Sequence, residues 1–322
     1  MTAARPFDDI RNLVSRLPGP DRAAGADAAA RLAAVVDAAR LGRVGAIVEW
    51  LATWTGDRAP RVDRPLLALF AASGTVAGRA GEGDPVEVAR DRVAALTDGT
   101  AFVNHVCATQ DMGMKVFELA LDLPTPDITA ANALDENACA ATIAYGMEAV
   151  AGGNDLLVLG STGSGGNVAA AALLAALQGG TGADWISGEG AALADAAAAR
   201  VATRAGDALD LLRRIGSRDI AALVGAILAA RYERVPVILD GLTAAAAAAV
   251  VHALDAGAVA HCMIGDLPGA VAGRLGARLG LEPLLDLGLI AGEGTGAAFA
   301  AAIVRGAAVA AESLVELPGE LQ

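Results

Sequence analysis

The sequence reads as an α/β protein, a parallel sheet covered on both faces by helices. Three observations lead there. Short apolar runs recur along the chain, separated by longer segments with helical spacing. Those runs are apolar throughout rather than alternating, the pattern of strands buried on both faces. Apolar residues also make up 55% of the 322 residues, enough to bury a large core and to exclude disorder along most of the chain.

Taken in order, residues 1–60 read as helices. Over 28–48 the apolar residues recur at helical spacing, with Arg31, Asp37, Arg40 and Arg43 on the other side. Trp50 and Trp54 are four apart and share a face as packing residues. The segment 59–65 is a proline- and charge-rich connector. Strands are then expected at 66–72, 115–121, 155–160, 235–240 and 258–265, with a weaker sixth at 286–290. Helices are expected at 85–95, 136–150, 168–177, 191–215, 219–231, 243–254 and 270–279, and a last one at 297–314 packs with the N-terminal helices.

Composition excludes several functions. With 24 basic and 37 acidic residues the formal charge is −13, which disfavours nucleic acid as a partner. Lys115 is the sole lysine, so a Schiff-base or phosphate-clamp lysine has one possible position. The mean hydropathy of +0.49 comes mostly from alanine. The longest apolar run, 242–251, falls short of the roughly 20 residues a spanning helix needs, so no membrane is expected. The first residues carry Asp8 and Asp9 and no apolar signal segment, consistent with a cytoplasmic protein. Cys107, Cys139 and Cys262 are scattered, lack metal spacing, and read as buried reduced thiols. No metal or cofactor is called for, and no G-x-S-x-G elbow anchors a Ser–His–Asp set.

In an open parallel sheet the ligand crevice lies beyond the carboxyl ends of the strands. After the third strand come Gly160, Ser161, Thr162, Gly163, Ser164, Gly165 and Gly166, a tight hydroxyl-bearing turn into a helix that Asn167 could cap. Free amides there would attract an anion such as phosphate. After the last strand Glu293 stands between Gly292 and Gly294, where a ligand can approach backbone and carboxylate closely. A carboxylate among apolar neighbours suits general-base work near neutrality. Asp240 ends the fourth strand, where it could bind a substrate hydroxyl or open the next helix, and Asp266 lies in the polar turn after the fifth. His261 and Cys262 read as core, and His105 and His252 receive no catalytic role. No G-x-G-x-x-G follows the first strand, which leaves a nicotinamide-dependent enzyme with little support.

The stretch GLEPLLDLGLIAGEGTGAAFA, from Gly280, resembles the C-terminal signature of the nicotinate-nucleotide:dimethylbenzimidazole phosphoribosyltransferases. KVFELALDLPTPDIT, AATIAYGMEAVAGGNDLLVLG, GADWI and RDIAALVGAILAARYERVPVILDG resemble it in order and spacing, so the likeness spans roughly 60–310. It implies a Rossmann-like sheet in 61–296, a small helical domain from 1–60 with part of 297–322, and a homodimer. The implied reaction moves phosphoribose from nicotinate mononucleotide to 5,6-dimethylbenzimidazole or a related azole, in cobalamin lower-ligand synthesis. It inverts at C1′ and uses no metal. The family's base falls on Glu293, and Asp240 would line the nucleotide site. The substrate crevice is expected to comprise Ser73, Gly160, Ser161, Thr162, Gly163, Gly165, Asp240, Gly292 and Gly294.

Several crevice segments depart from the family pattern. Ser73-Gly74-Thr75-Val76 stands for A-D-H-G-V, and GSTGSGGNV for G-E-M-G-I-G-N-T-T, which puts Ser161 at a second acidic position. Asp91 to Leu96 replaces the Q-M-x-x-N-F segment that helps hold the base. Glu189 lies in the replaced G-R-G-T-G segment, Ala196 stands for a phosphate-binding lysine, and Asp266 to Ala270 replaces S-A-E-P-G-H. These changes frame the alternative expectation, a non-catalytic paralogue that binds a benzimidazole-type ligand or partners an active homologue.

Overall fold

The computed structural model describes residues 5–202, 207–289 and 292–316. The helical start comprises α1 (Pro6–Val14), α2 (Arg22–Ala33), a short α3 (Ala38–Leu41) and α4 (Arg43–Thr55). The continuous helix expected over 28–48 is therefore broken, with Gly42 in a left-handed φ of 50° just ahead of α4. There follow β1 (Pro65–Ala72), α5 (Val76–Arg79), α6 (Pro85–Thr97), α7 (Phe102–Thr109), β2 (Gly113–Glu118) and α8 (Glu136–Gly146). Next come β3 (Leu156–Gly163), α9 (Gly166–Gln178), α10 (Gly190–Val201), α11 (Ala208–Ile215) and α12 (Arg218–Tyr232). The chain continues through β4 (Val237–Asp240), α13 (Gly241–Leu254), β5 (Cys262–Asp266), α14 (Gly269–Leu279), β6 (Pro283–Leu285) and α15 (Thr295–Glu316).

Among the described residues six strands form one sheet in the order β2-β1-β3-β4-β5-β6, and each of these pairings is parallel. The expected fold class is the one observed. Side chains alternate across the sheet as the two-residue period of a strand requires. Ala68, Phe70, Leu157 and Leu159 enter a core built by α8, α9, α12 and α13. Leu67, Leu69, Leu156 and Val158 enter the opposite core with α2, α4, α7 and α15. Alanine-rich helices lie close to the sheet, and Ala244 to Val251 of α13 are buried all round.

Boundaries moved where backbone chemistry intervened. β2 ends at Glu118, ahead of the expected 121, because Ala120 takes a left-handed φ of 52° and turns the chain. β5 starts later than expected; the Asp255 side chain accepts the Gly257 N–H and opens a 3₁₀ turn, Ala256–Val259, in front of it. The sixth strand falls at Pro283–Leu285 rather than 286–290, and residue 290 lies outside the described residues. The single helix expected over 191–215 is two, α10 and α11, and Asp207 caps the second by accepting from Leu209 and Asp210 N–H. α7 was not among the expected helices.

α15 also revises the membrane reading, because Thr295–Ser313 is long and apolar enough, by length and composition, to cross a bilayer. Half of that stretch is buried in the fold, with Ala297, Ala300, Ala301 and Val304 in the core against the sheet. The three cysteines are free and buried, and burial pushes the Cys107 thiol up to about 11 and the Cys139 thiol up to about 12.

Candidate active site

The chain reverses its direction of travel across the sheet at β1. It steps outward to β2, then returns to place β3 on the other side, so the switch point lies at the carboxyl ends of β1 and β3. In such sheets that is where ligands bind. Three of the residues expected in a loop here, Ser161, Thr162 and Gly163, are strand. Gly160, Ser161, Thr162 and Gly163 continue β3 and pair with Leu69, Phe70, Ala71 and Ala72. Gly163 has a φ of 111°, and a Cβ on it would sit 1.9 Å from the Ala72 carbonyl oxygen, so only glycine lets the two strands stay this close. The turn into α9 is confined to Ser164 and Gly165.

Beyond the strands, hydrogen bonds lace the segments together. Ser73, buried, donates its hydroxyl to the Leu121 carbonyl at 2.7 Å. Ser164 donates its hydroxyl to the Pro85 carbonyl at 2.8 Å and receives the Gly74 N–H at 3.4 Å. The amide of Gly165, at the mouth of α9, donates to the Glu82 carboxylate at 3.1 Å. The place read as an anion site thus already holds a carboxylate of the chain itself. Arg92 donates from its guanidinium to the Gly163 carbonyl and brings a cation to this edge.

The glycine-flanked acid is held by a different device. Gly292, Glu293 and Gly294 have φ values of 66°, 60° and 83°, three left-handed residues in succession. What fixes this costly path is Asp240. Its two carboxyl oxygens accept the Gly294 N–H at 2.8 Å and the Ala297 N–H at 3.0 Å. A carboxyl at the end of β4 thereby caps α15 across space, in the position that complements that helix's dipole. Burial raises the Asp240 carboxyl above the ordinary range, the two N–H donors pull it back, and nearby Asp266 pushes it up again. Asp266 in turn accepts the Leu287 N–H at 2.7 Å, which positions the segment ahead of the same turn. Glu293 itself is half-buried, and Thr162 directs its hydroxyl at the Glu293 carboxylate from 3.4 Å.

The expected residues therefore divide into three groups. Gly160, Thr162, Asp240, Glu293 and Gly294 come together at the carboxyl ends of β3 and β4; a Cβ on Gly160 would lie 3.3 Å from the Gly294 nitrogen. Gly163, Gly165 and Ser73 stand toward β1 and α5, engaged with the segments just described. Ser161 points to a third cluster. Its hydroxyl is 2.6 Å from that of Thr243, and it also bonds the carboxyl of Asp219, which Ser217 contacts from the other side. Asp219 is buried, and burial holds its carboxyl above the ordinary range. Sequence reasoning missed Asp219, Glu82 and Arg92. Glu82 had a readable signal, since Gly81-Glu82-Gly83 repeats the triplet around Glu293, as does Gly188-Glu189-Gly190. Among the described residues, no group of three or more His, Cys, Asp or Glu side chains could hold a metal ion.

A parallel α/β sheet with a buried-carboxyl-anchored glutamate at its carboxyl edge marks the class, and a family model described as Phosphoribosyltransferase matches residues 17–317. Proteins of Brucella melitensis biotype 1 and Brucella abortus, each named nicotinate-nucleotide–dimethylbenzimidazole phosphoribosyltransferase, are 48% identical over 318 residues, covering 94% of this chain and 93% of theirs. The chain belongs to that phosphoribosyltransferase family. Two crystal structures from Thermus thermophilus, one titled for the same enzyme and one for CobT, superpose with TM-scores of 0.83 and 0.81 at 28% and 27% identity. They cover 92% of this chain and 97% and 96% of their own.

Proposed function

We propose that this protein transfers phosphoribose from nicotinate mononucleotide to a ring nitrogen of 5,6-dimethylbenzimidazole or a related azole. The observation that carries the reading is Glu293, fixed through Asp240 at the carboxyl edge of the sheet with Thr162 beside its carboxylate. The names of the Brucella and Thermus relatives support the same donor and acceptor. In this mechanism one azole nitrogen attacks C1′ from the face opposite nicotinate, and the new C–N bond forms with inversion. The old C–N electron pair returns to the pyridine nitrogen, which leaves uncharged. Glu293 takes the proton from the second azole nitrogen as that ring would otherwise become cationic. Because the leaving group is already a pyridinium, the step needs no metal. Arg92 is the nearby cation available to a phosphate once its hold on Gly163 is released.

The test is direct. The protein is incubated with nicotinate mononucleotide and 5,6-dimethylbenzimidazole, and α-ribazole phosphate is sought. Glu293→Gln is expected to lower turnover about 100- to 10,000-fold, the range for loss of a positioned general base, with the fold unchanged by circular dichroism. One observation favours the second reading, a non-catalytic paralogue that binds the benzimidazole alone or partners an active homologue. Glu82 occupies the α9 amide expected to meet a phosphate. No product, together with thermal stabilisation by the benzimidazole in the absence of nucleotide, selects that reading.

We place the protein in the cytoplasm, without a nucleic-acid or membrane partner; the charge of −13 supports the former and the packing of α15 into the core the latter. We divide the chain into a helical unit of 1–60 with part of 297–322 and an α/β unit of 61–296, supported by the shared packing of α2, α4 and α15. We propose a homodimer, supported by the exposed apolar residues Phe299, Ile303 and Val309 along α15.

A further inference from the structure

At the opposite end of the sheet from Glu293, a cavity of about 340 Å³ opens between α4 and the start of β5. Its lining includes Arg22, Glu49, Thr53, Trp54, Arg231 and Ala260. Arg231 and Ala260 precede β4 and β5, whereas Asp240 and Glu293 lie beyond the carboxyl ends, so the two places are distinct. The unusual member is Arg231, only 6% exposed. Its guanidinium carbon lies 3.8 Å over the Trp54 ring, and its Nε donates to the Pro18 carbonyl at 2.8 Å. Its Nη1 is buried and has no acceptor among the described residues.

A buried guanidinium normally faces a carboxylate, because an unpaired charge is expensive to bury. Among the ion pairs of the described residues, none involves Arg231 or Arg22. Asp255 acts on Arg231 only through longer-range attraction, which Arg234 opposes. Burial lowers the Arg231 pKa but leaves the guanidinium charged, and burial, together with that charge, drives the neighbouring His261 imidazole down to about 3, so His261 is neutral and adds no positive charge. Trp54 stacks under the guanidinium and meets His261 edge-on at 6.1 Å, which holds the cation in place without neutralising it.

We propose that this cavity binds a small monocarboxylate, with its anionic group on Arg231 and Arg22 and its body over Thr53. A guanidinium keeps its charge when buried and makes short, charge-assisted hydrogen bonds to a carboxylate. Glu49 on the same lining decides the charge of the ligand. A second negative charge on a phosphate doubles its repulsion from Glu49, while a monoanion bears only one such term. Arg231 and Arg22 make no ion pair among the described residues, and the one acidic side chain on the lining, Glu49, is exposed, so the cavity offers its cations to an anion from solution.

Benzoate is the probe, titrated into the full-length protein while tryptophan fluorescence and thermal unfolding are followed. A saturable response below about 20 mM is expected, the regime of weak single-site binding. Arg22→Ala should weaken it about fivefold, as loss of one exposed charge contact does. Glu49→Gln should leave benzoate binding intact and allow inorganic phosphate to bind at least about fivefold more tightly than in the parent protein. Arg231→Gln should abolish the response, but this residue is buried, so the exposed Arg22 and Glu49 variants carry the test. Glu293→Gln should bind benzoate as the parent does. Absence of saturation, or identical curves for the parent, Arg22→Ala and Glu49→Gln, overturns the proposal.

Discussion

The residue that organises the candidate site is Asp240, not the glutamate it serves. Glu293 sits at the middle of three left-handed residues, a path that holds only when the surroundings over-determine it. Asp240 does so by accepting two amides of the turn and of α15. Asp240→Ala leaves both amides buried without an acceptor, at about 1–3 kcal/mol each. The expected outcome is a Tm several degrees lower and a fall in kcat larger than the change in KM, read by calorimetry and steady-state kinetics, since the base is displaced rather than removed. The sequence pointed to Glu293 through its flanking glycines and to Asp240 through its place at a strand end. It could not show that Asp240 faces the turn, because the partners are 54 and 57 residues apart. A second residue contributes to the acid sensitivity of the fold. His261 is buried and neutral, its imidazole driven from 6.5 to about 3. The unfolded chain binds that proton near pH 6.5 and the folded one does not, so stability is present above 6.5 and drains away as pH falls toward 3, by at most about 5 kcal/mol. His261→Gln removes the titration, and its Tm should fall less steeply than the parent's between pH 6.5 and 4.

At the scale of elements, helix contacts are decided by missing side chains as much as by present ones. α8 and α12 cross so closely that a Cβ on Gly225 would lie 1.8 Å from the Ile143 carbonyl oxygen. Gly225→Ala must push the helices apart and should cost about 3 kcal/mol by denaturant unfolding. Gly273, on α14, has nothing within 4 Å of an added Cβ, so Gly273→Ala should stabilise by about 0.5–1 kcal/mol. If both substitutions behave alike, close approach is not what selects glycine at position 225. Elements were the most legible level of this sequence. Strands buried on both faces read directly as apolar runs, and β1 and β4 fell within two residues of expectation. β3 extends to Gly163, through residues that look like a loop, because glycine there permits a pairing that composition alone disfavours. β2, β5 and the split of α10 from α11 were set by a single left-handed residue or a single aspartate cap, signals too local to outweigh hydrophobic periodicity.

At the scale of the whole molecule, strand order was not legible, because apolar runs say that strands are buried but not which ones are neighbours. The order β2-β1-β3-β4-β5-β6 places residues from both chain ends on one face, where α15 packs beside α2 and α4. That arrangement gives α15 two unlike sides. Its inner side is alanine and valine, buried against the sheet, while Phe299, Ile303 and Val309 stand 36%, 40% and 53% exposed on the other. At 3.6 residues per turn these three fall along one side, with Ala302, Gly306 and Ala310 between them lining a shallow apolar cavity of about 390 Å³. A monomer in water gains nothing from an apolar stripe of that length, whereas a two-fold partner presenting the same stripe would bury both at once. Ile303→Asp combined with Val309→Asp should therefore convert a dimer to a monomer in light scattering, with circular dichroism unchanged, because neither side chain belongs to the core. A dimer that survives both charges moves the interface elsewhere, and a parent protein that is already monomeric removes the need for one.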